Sequence, residues 1–307
     1  MTVSAARYAL VGPGAIGSTV AALLHAAGHS VLVCGRRARD TIEVRPDDSV
    51  AVGPGDHGRP MILPGPVHTD PAAVAGPVDV VLLAVKDTQN DAAAPWLTRL
   101  AGPRTVVLAL QNGVEQVERV GRHCPGSTVL PVAVWLSAET MPDGAIRQRT
   151  PARLVLPESP VAQRLLPGLR VAGLTVDLDP DFLTAAWRKL LINAVGAVMV
   201  LTGRRTGVFA RADIAELARA YLSECLAVAR AEGAGLGSEV IDEIIATFTS
   251  MPADITTSIL ADREHGRPLE WDIRNGVICR KAARHGIATP ISDVLVPLLA
   301  AASDGPG

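Results

Sequence analysis

The 307-residue chain is 48% apolar, with a mean hydropathy of +0.27. That is enough to bury cores in two domains of about 100 to 200 residues each, and it excludes a disordered, collagen-like or disulfide-scaffold protein. The 29 Lys and Arg against 31 Asp and Glu leave a net charge of −2, so no basic field exists to hold a nucleic acid and none is expected as a partner. The cations are unevenly written: only Lys86, Lys189 and Lys281 are lysine, which leaves 26 arginines. Asparagine is equally scarce, at Asn90, Asn112, Asn193 and Asn275. Arginine can carry surface charge, but only lysine gives up a proton near neutral pH, so the few lysines are candidates for chemistry.

In chain order, the first 175 or so residues alternate short apolar runs with helical stretches. Strands are expected at Tyr8–Val11, Val31–Cys34, Val78–Val85, Thr105–Leu110 and Thr128–Val134. Continuously apolar strands separated by helices predict a parallel sheet covered on both faces. Residues 52–66 read as loops or short antiparallel excursions, and Ala145–Arg149 with Ala152–Leu156 as a hairpin at the sheet's far edge. From Asp179 onward the pattern turns helical: 181–201, 212–232, 238–250, 267–285 and 291–302. The reading is α/β: a Rossmann-type doubly wound parallel sheet over residues 1–178, then an all-helical domain over 179–307. The apolar run Leu190–Gly203 has 14 residues, short of the roughly 18 to 20 a bilayer requires, and is expected to be a buried helix rather than a membrane span. No removable leader is expected, because the first apolar run ends in a glycine motif that has to stay. The dispersed Cys34, Cys124, Cys225 and Cys279 show no metal-ligand spacing and suit a reducing, cytoplasmic setting.

The motif is Gly12-Pro13-Gly14-Ala15-Ile16-Gly17, lying between the first strand and the first helix. In that context Gly12 makes the tight turn, Gly14 admits the dinucleotide pyrophosphate, and Gly17 allows close helix–strand packing. An NAD-selective site would carry an acid at the end of the second strand. This chain has Cys34-Gly35-Arg36-Arg37, and guanidinium groups suit a 2′-phosphate, so NADP (NADPH) is the expected cofactor. Whether Arg36 or Arg37 faces it stays open, with Arg36 carried as the candidate. Lys86 and Asn112 each follow a strand, at the carboxyl ends where open parallel sheets bind ligands. Lys189 and Asn193 fall one turn apart on an otherwise apolar helix. An ammonium buried there must be paired or lose proton affinity, which makes a lysine a usable acid. Ser258 and Glu270 read equally well as a helix cap and a surface charge, and Lys281 as a surface cation.

Together these motifs resemble the ketopantoate reductase (2-dehydropantoate 2-reductase) family from Tyr8 to Pro290. The matching residues are the glycine turn, Lys86 with Gln89, Gln111-Asn112-Gly113, Trp187-x-Lys189-Leu190-x-x-Asn193, Ser258 through Glu270, and Gly286–Pro290. The resemblance implies NADPH-dependent reduction of 2-dehydropantoate to (R)-pantoate, on the route to pantothenate and coenzyme A. It implies Lys189 as the acid that protonates the carbonyl oxygen and Glu270 as the group that orients it. Asn112, Asn193 and Ser258 would hold substrate. Gly12, Pro13, Gly14, Ala15, Ile16, Gly17, Arg36, Lys86, Asn112 and Glu270 would border the cofactor. One departure is Ala197-Val198, where the family usually has asparagine and proline in a segment that touches substrate. It keeps two alternatives in view: a reductase for another 2-keto acid or an imine formed from one, and, in another class, a sensor that holds NADP without turnover. An apolar helical domain also offers surface for a homodimer.

Overall fold

A computed structural model describes residues 6–51, 58–171 and 173–305, so part of the predicted 52–66 loop lies outside the described residues. The elements run β1 (Arg7–Val11), α1 (Ala15–Ala26), β2 (Ser30–Cys34), β3 (Thr41–Pro46), β4 (Met61–Pro64), β5 (Val67–His68), β6 (Val80–Leu83), α2 (Asn90–Leu100), β7 (Val106–Ala109), α3 (Gln116–Gly121), β8 (Thr128–Pro131), β9 (Ala133–Trp135), β10 (Ala138–Thr140), β11 (Ile146–Gln148), β12 (Ala152–Pro157), α4 (Pro160–Leu169) and β13 (Leu174–Asp179). Six strands form a wholly parallel sheet in the order β5-β2-β1-β6-β7-β8. Successive side chains of these strands enter opposite layers: Tyr8, Leu10, Leu82 and Leu108 pack in one apolar cluster, and Ala9, Val11, Leu83 and Ala109 in another. Both faces are dry, which is why the strands read as unbroken apolar runs. Strand order reverses beside β1, so the carboxyl ends of β1 and β6 flank the switch point where such sheets bind ligands.

Two small sheets were not foreseen as such. One has the order β10-β11-β3-β4 and the other β13-β12-β9. The expected hairpin between Ala145–Arg149 and Ala152–Leu156 does not form. β11 pairs with β10 and β3, whereas β12 pairs with β9 and β13. Pro151 explains the difference: it supplies no N–H for a hairpin ladder and biases Thr150 toward extended backbone, so the chain passes from one sheet to the next.

The remaining helices are α5 (Phe182–Val195), α6 (Ala197–Thr202), α7 (Ala212–Ala231), α8 (Glu239–Ser250), α9 (Ser258–Glu264), α10 (Val277–His285) and α11 (Pro290–Ser303). The single helix expected over 181–201 is divided at Gly196. The one expected over 267–285 starts late, as a π turn at Asp272–Gly276 that leads into α10, because Pro268 disfavours helix in the residue before it. Phe182–Thr202 is long and apolar enough to cross a membrane by length and composition alone, yet it supplies core: Leu190, Leu191, Val195, Met199 and Val200 are almost wholly buried with Tyr221, Phe209 and Phe248. The chain forms two compact units. One gathers the residues up to Gln111 with Glu115–Phe182, and the other Asn112–Val114 with Leu183–Gly307.

Candidate active site

In the first unit the glycine turn is built as dinucleotide chemistry requires. Gly12 adopts φ +93°, and a Cβ there would lie 2.6 Å from the Val85 side chain. A Cβ on Gly17 would meet Ala84 and Leu10 at 2.6 and 2.7 Å, so the glycine lets α1 lie against β1 and the end of β6. Gly14 differs: nothing lies within 4 Å of a Cβ built on it. Its side is open where the pyrophosphate would approach, and α1 begins there with no side-chain cap and no acid in its first turn, leaving its N–H groups available to an anion. Pro13 packs against Gly35, and the Gly12 amide donates to the Cys34 carbonyl at 3.0 Å, which sets the Arg36-Arg37 turn beside the glycine turn. Both arginines are exposed and form no ion pair among the described residues. This cradle fits a nicotinamide dinucleotide.

Lys86 is half-buried immediately after β6, in front of a 3₁₀ turn at Asp87–Gln89. Its loop is pinned by a polar network that the sequence did not disclose. Asn90 donates to Asp87 at 2.9 Å, and Gln111 donates to Asn90 at 2.7 Å and to the Val85 carbonyl at 3.0 Å. Gln116 holds the Gln111 carbonyl at 3.1 Å, and Arg119 donates to Asp87 at 2.7 Å. Asn90 was visible only as a scarce amide, and it ties Asp87, three residues before it, to Gln111, 21 residues after it.

The second unit brings together Asn112, Lys189, Asn193, Ser258 and Glu270. Lys189 and Asn193 occupy one face of α5, Asn112 precedes Gly113 at φ +103°, Ser258 opens α9, and Glu270 precedes the π turn. Asn193 donates to Asn112 at 3.3 Å, and Asn112 donates to Glu270 Oε2 at 3.3 Å. The same oxygen accepts from Arg274 Nη2 at 3.4 Å, and that nitrogen also donates to Ser258 Oγ at 2.9 Å. Sequence reasoning missed Arg274, a buried residue of the π turn, because nothing sets it apart from 25 other arginines until its burial is known. Glu270 is 6% exposed and so is no surface charge, and the cap of α9 is Thr257, which leaves the exposed Ser258 hydroxyl outside the helix's own bonding. Lys281 is also corrected: it is buried and ion-paired with Glu232.

Burial dominates the electrostatics. It takes the ammonium of Lys189 out of water, and the nearby Arg274 guanidinium opposes it further, while Glu270 partly compensates. The pKa falls from 10.5 to about 7. A lysine poised there gives and takes a proton near neutrality. Ala197 is wholly buried in the apolar core of this unit.

Comparison with known proteins gives a consistent result. A family model described as ketopantoate reductase PanE/ApbA matches residues 8–160, and its C-terminal counterpart matches residues 181–303. A 2-dehydropantoate 2-reductase from Mycobacterium tuberculosis is 62% identical over 303 residues, covering 99% of this chain and 100% of that protein. The enzyme of the same name from Caulobacter vibrioides is 36% identical over 297 residues, covering 96% and 98%. Among solved structures, a dimeric ketopantoate reductase from Staphylococcus aureus matches with a TM-score of 0.86 at 26% identity, covering 98% of this chain and 100% of that one. A D-mandelate dehydrogenase solved with NADH and anilino(oxo)acetate shares the fold, with a TM-score of 0.84 at 20% identity.

Proposed function

The chain belongs to the ketopantoate reductase family, and from that premise we propose that it reduces the C2 ketone of 2-dehydropantoate to (R)-pantoate with NADPH, a step toward pantothenate and coenzyme A. The observation that carries this reading is Lys189, an ammonium whose proton affinity burial lowers and Glu270 partly restores, on the helix that also carries Asn193, in a unit where Asn193 bonds Asn112 and Asn112 bonds Glu270. NADPH supplies the hydride when bound. Lys189 Nζ holds the proton that passes to the carbonyl oxygen, so the charge that develops on that oxygen is met by an ammonium rather than by water. Glu270 keeps the ammonium charged and oriented, while Asn112 and Asn193 position the substrate's polar groups. Gly12 to Gly17 cradle the pyrophosphate, Arg36 or Arg37 binds the 2′-phosphate, and Lys86 stands by the cofactor.

The high identity to enzymes named for this activity favours 2-dehydropantoate over other keto acids, and the complete Lys189, Glu270 and Ser258 set favours turnover over sensing. We further infer a homodimer, on the strength of the dimeric relative, and a cytoplasmic setting suited to four unpaired thiols. The test is NADPH oxidation by the purified protein with 2-dehydropantoate. The expected result is turnover that Lys189→Ala lowers at least about 10²-fold in kcat; an undiminished rate in that variant, or no turnover by the parent protein, overturns the reading.

A further inference from the structure

Arg274 is assigned no role by the family motifs above, yet it is the most deeply buried charge in the second unit's site, at 2% exposure. We propose that Arg274 is a positioning residue for the keto acid: it occupies the acceptor side of the Ser258 hydroxyl, so that the hydroxyl presents its proton to the substrate's carboxylate.

Hydrogen-bond polarity fixes which way the Ser258 proton can point. Guanidinium is all donor and no acceptor. With Arg274 Nη2 at 2.9 Å from Ser258 Oγ, the serine oxygen accepts. Its single proton cannot return to Arg274 and must point elsewhere. Thr257 has taken over the capping of α9, and Ser258 is exposed, so that proton faces the space an arriving ligand enters. A neutral serine left alone could equally turn a lone pair outward, which would repel a carboxylate.

The pairing of Arg274 also departs from a structural ion pair. On the surface, Arg45 grips Glu43 with Nε and Nη2 at 3.0 and 2.7 Å, and Arg147 grips Asp47 the same way. Arg274 reaches Glu270 through Nη2 alone at 3.4 Å, and its buried Nε has no hydrogen-bond partner. Glu270 Oε2 is shared with Asn112. A buried guanidinium so loosely compensated leaves positive potential beside Ser258 and Lys189, which suits an anionic substrate. The charges acting on Lys189 are Glu270 and Arg274. Arg188 on the same helix is spent on Glu243, and Asp262 and Glu264 of α9 on Arg267 and Arg205. A carboxylate bound at Ser258 offsets Arg274 and so returns proton affinity to Lys189, loading the acid when substrate is present.

This inference rests on the reductase reading. Its test is a double-mutant cycle in the full chain, using Ser258→Ala, Arg274→Met and both together, with kcat and KM measured for 2-dehydropantoate across pH. We expect each single change to raise KM about tenfold or more, the double to do no worse than the weaker enzyme of the two, and Arg274→Met to move the loss of reduction to higher pH. Arg274→Lys, which still donates to Ser258, should restore KM to within about threefold of the parent and guards against a Met variant that fails to fold. Multiplying effects in the double, an unmoved pH profile, or a lowered melting temperature with KM intact each overturn the role of Arg274. A parent protein inactive on 2-dehydropantoate overturns the reductase reading itself and takes this inference with it.

Discussion

As the proposed acid, Lys189 meets two opposed demands, because the burial that lowers its proton affinity also penalises the folded state. Its folded pKa is about 7 against an ordinary 10.5. Across that window the unfolded chain binds more protons, so this residue makes stability rise with pH, and below the folded pKa the full penalty is present. Lys189→Met is therefore expected to raise the melting temperature at about pH 6, by an amount corresponding to about 1–3 kcal/mol, with the gain fading toward about pH 10. Thermal melts at the two pH values check this, and a pH-independent loss contradicts it. Lys189→Arg keeps the charge but cannot release the proton, so kcat should fall about as far as in Lys189→Ala. Scarcity in the sequence marked Lys189 and Lys86 as candidates, but it marked Lys281 no less. Lys281 instead closes a buried ion pair with Glu232, 49 residues distant in sequence, which His285 also holds at 2.7 Å. Arg274 was illegible for the mirror reason: an abundant residue type hides its one member buried beside Glu270 and Ser258.

At the scale of elements, the glycine turn gives separable predictions. Gly17→Ala places a methyl 2.6 Å from Ala84 Cβ and should lower stability by about 1–3 kcal/mol, read as a lower urea midpoint. Gly14→Ala meets no neighbour, so stability should hold within about 0.5 kcal/mol while KM for NADPH rises, which binding kinetics would show. Replacing Arg36 and Arg37 together by Ser should raise KM for NADPH about tenfold or more and leave NADH nearly unaffected. Equal loss with both cofactors would mean the arginines do not read the 2′-phosphate. The parallel strands and this turn were legible because burial on both faces writes an unbroken apolar signature. β13 and the small sheets were not, because strands such as Leu174–Asp179 carry exposed polar residues and find their partners only in three dimensions. The π turn is equally silent, since its local sequence reads as ordinary helix while its register is held by Asn275, which donates to the Ala194 carbonyl at 3.0 Å and to Tyr221 at 2.8 Å.

For the molecule as a whole, the change from strand to helix periodicity announced two bodies, but not that Asn112–Val114 belongs with the helical one. That excursion carries Asn112 to Glu270, 158 residues away, and Asn193 to Asn112 across 81. No spacing rule reaches so far; only the family resemblance joined those residues before the structure did. We propose a 2-keto acid reductase whose proton comes from Lys189. It is tested most directly by the pH dependence of kcat/KM for NADPH-driven reduction of 2-dehydropantoate. The expected rate falls as pH rises through about 7, where Lys189 loses its proton, and the descending limb vanishes with activity in Lys189→Ala. A descending limb that persists unchanged in an active Lys189→Ala enzyme would contradict it.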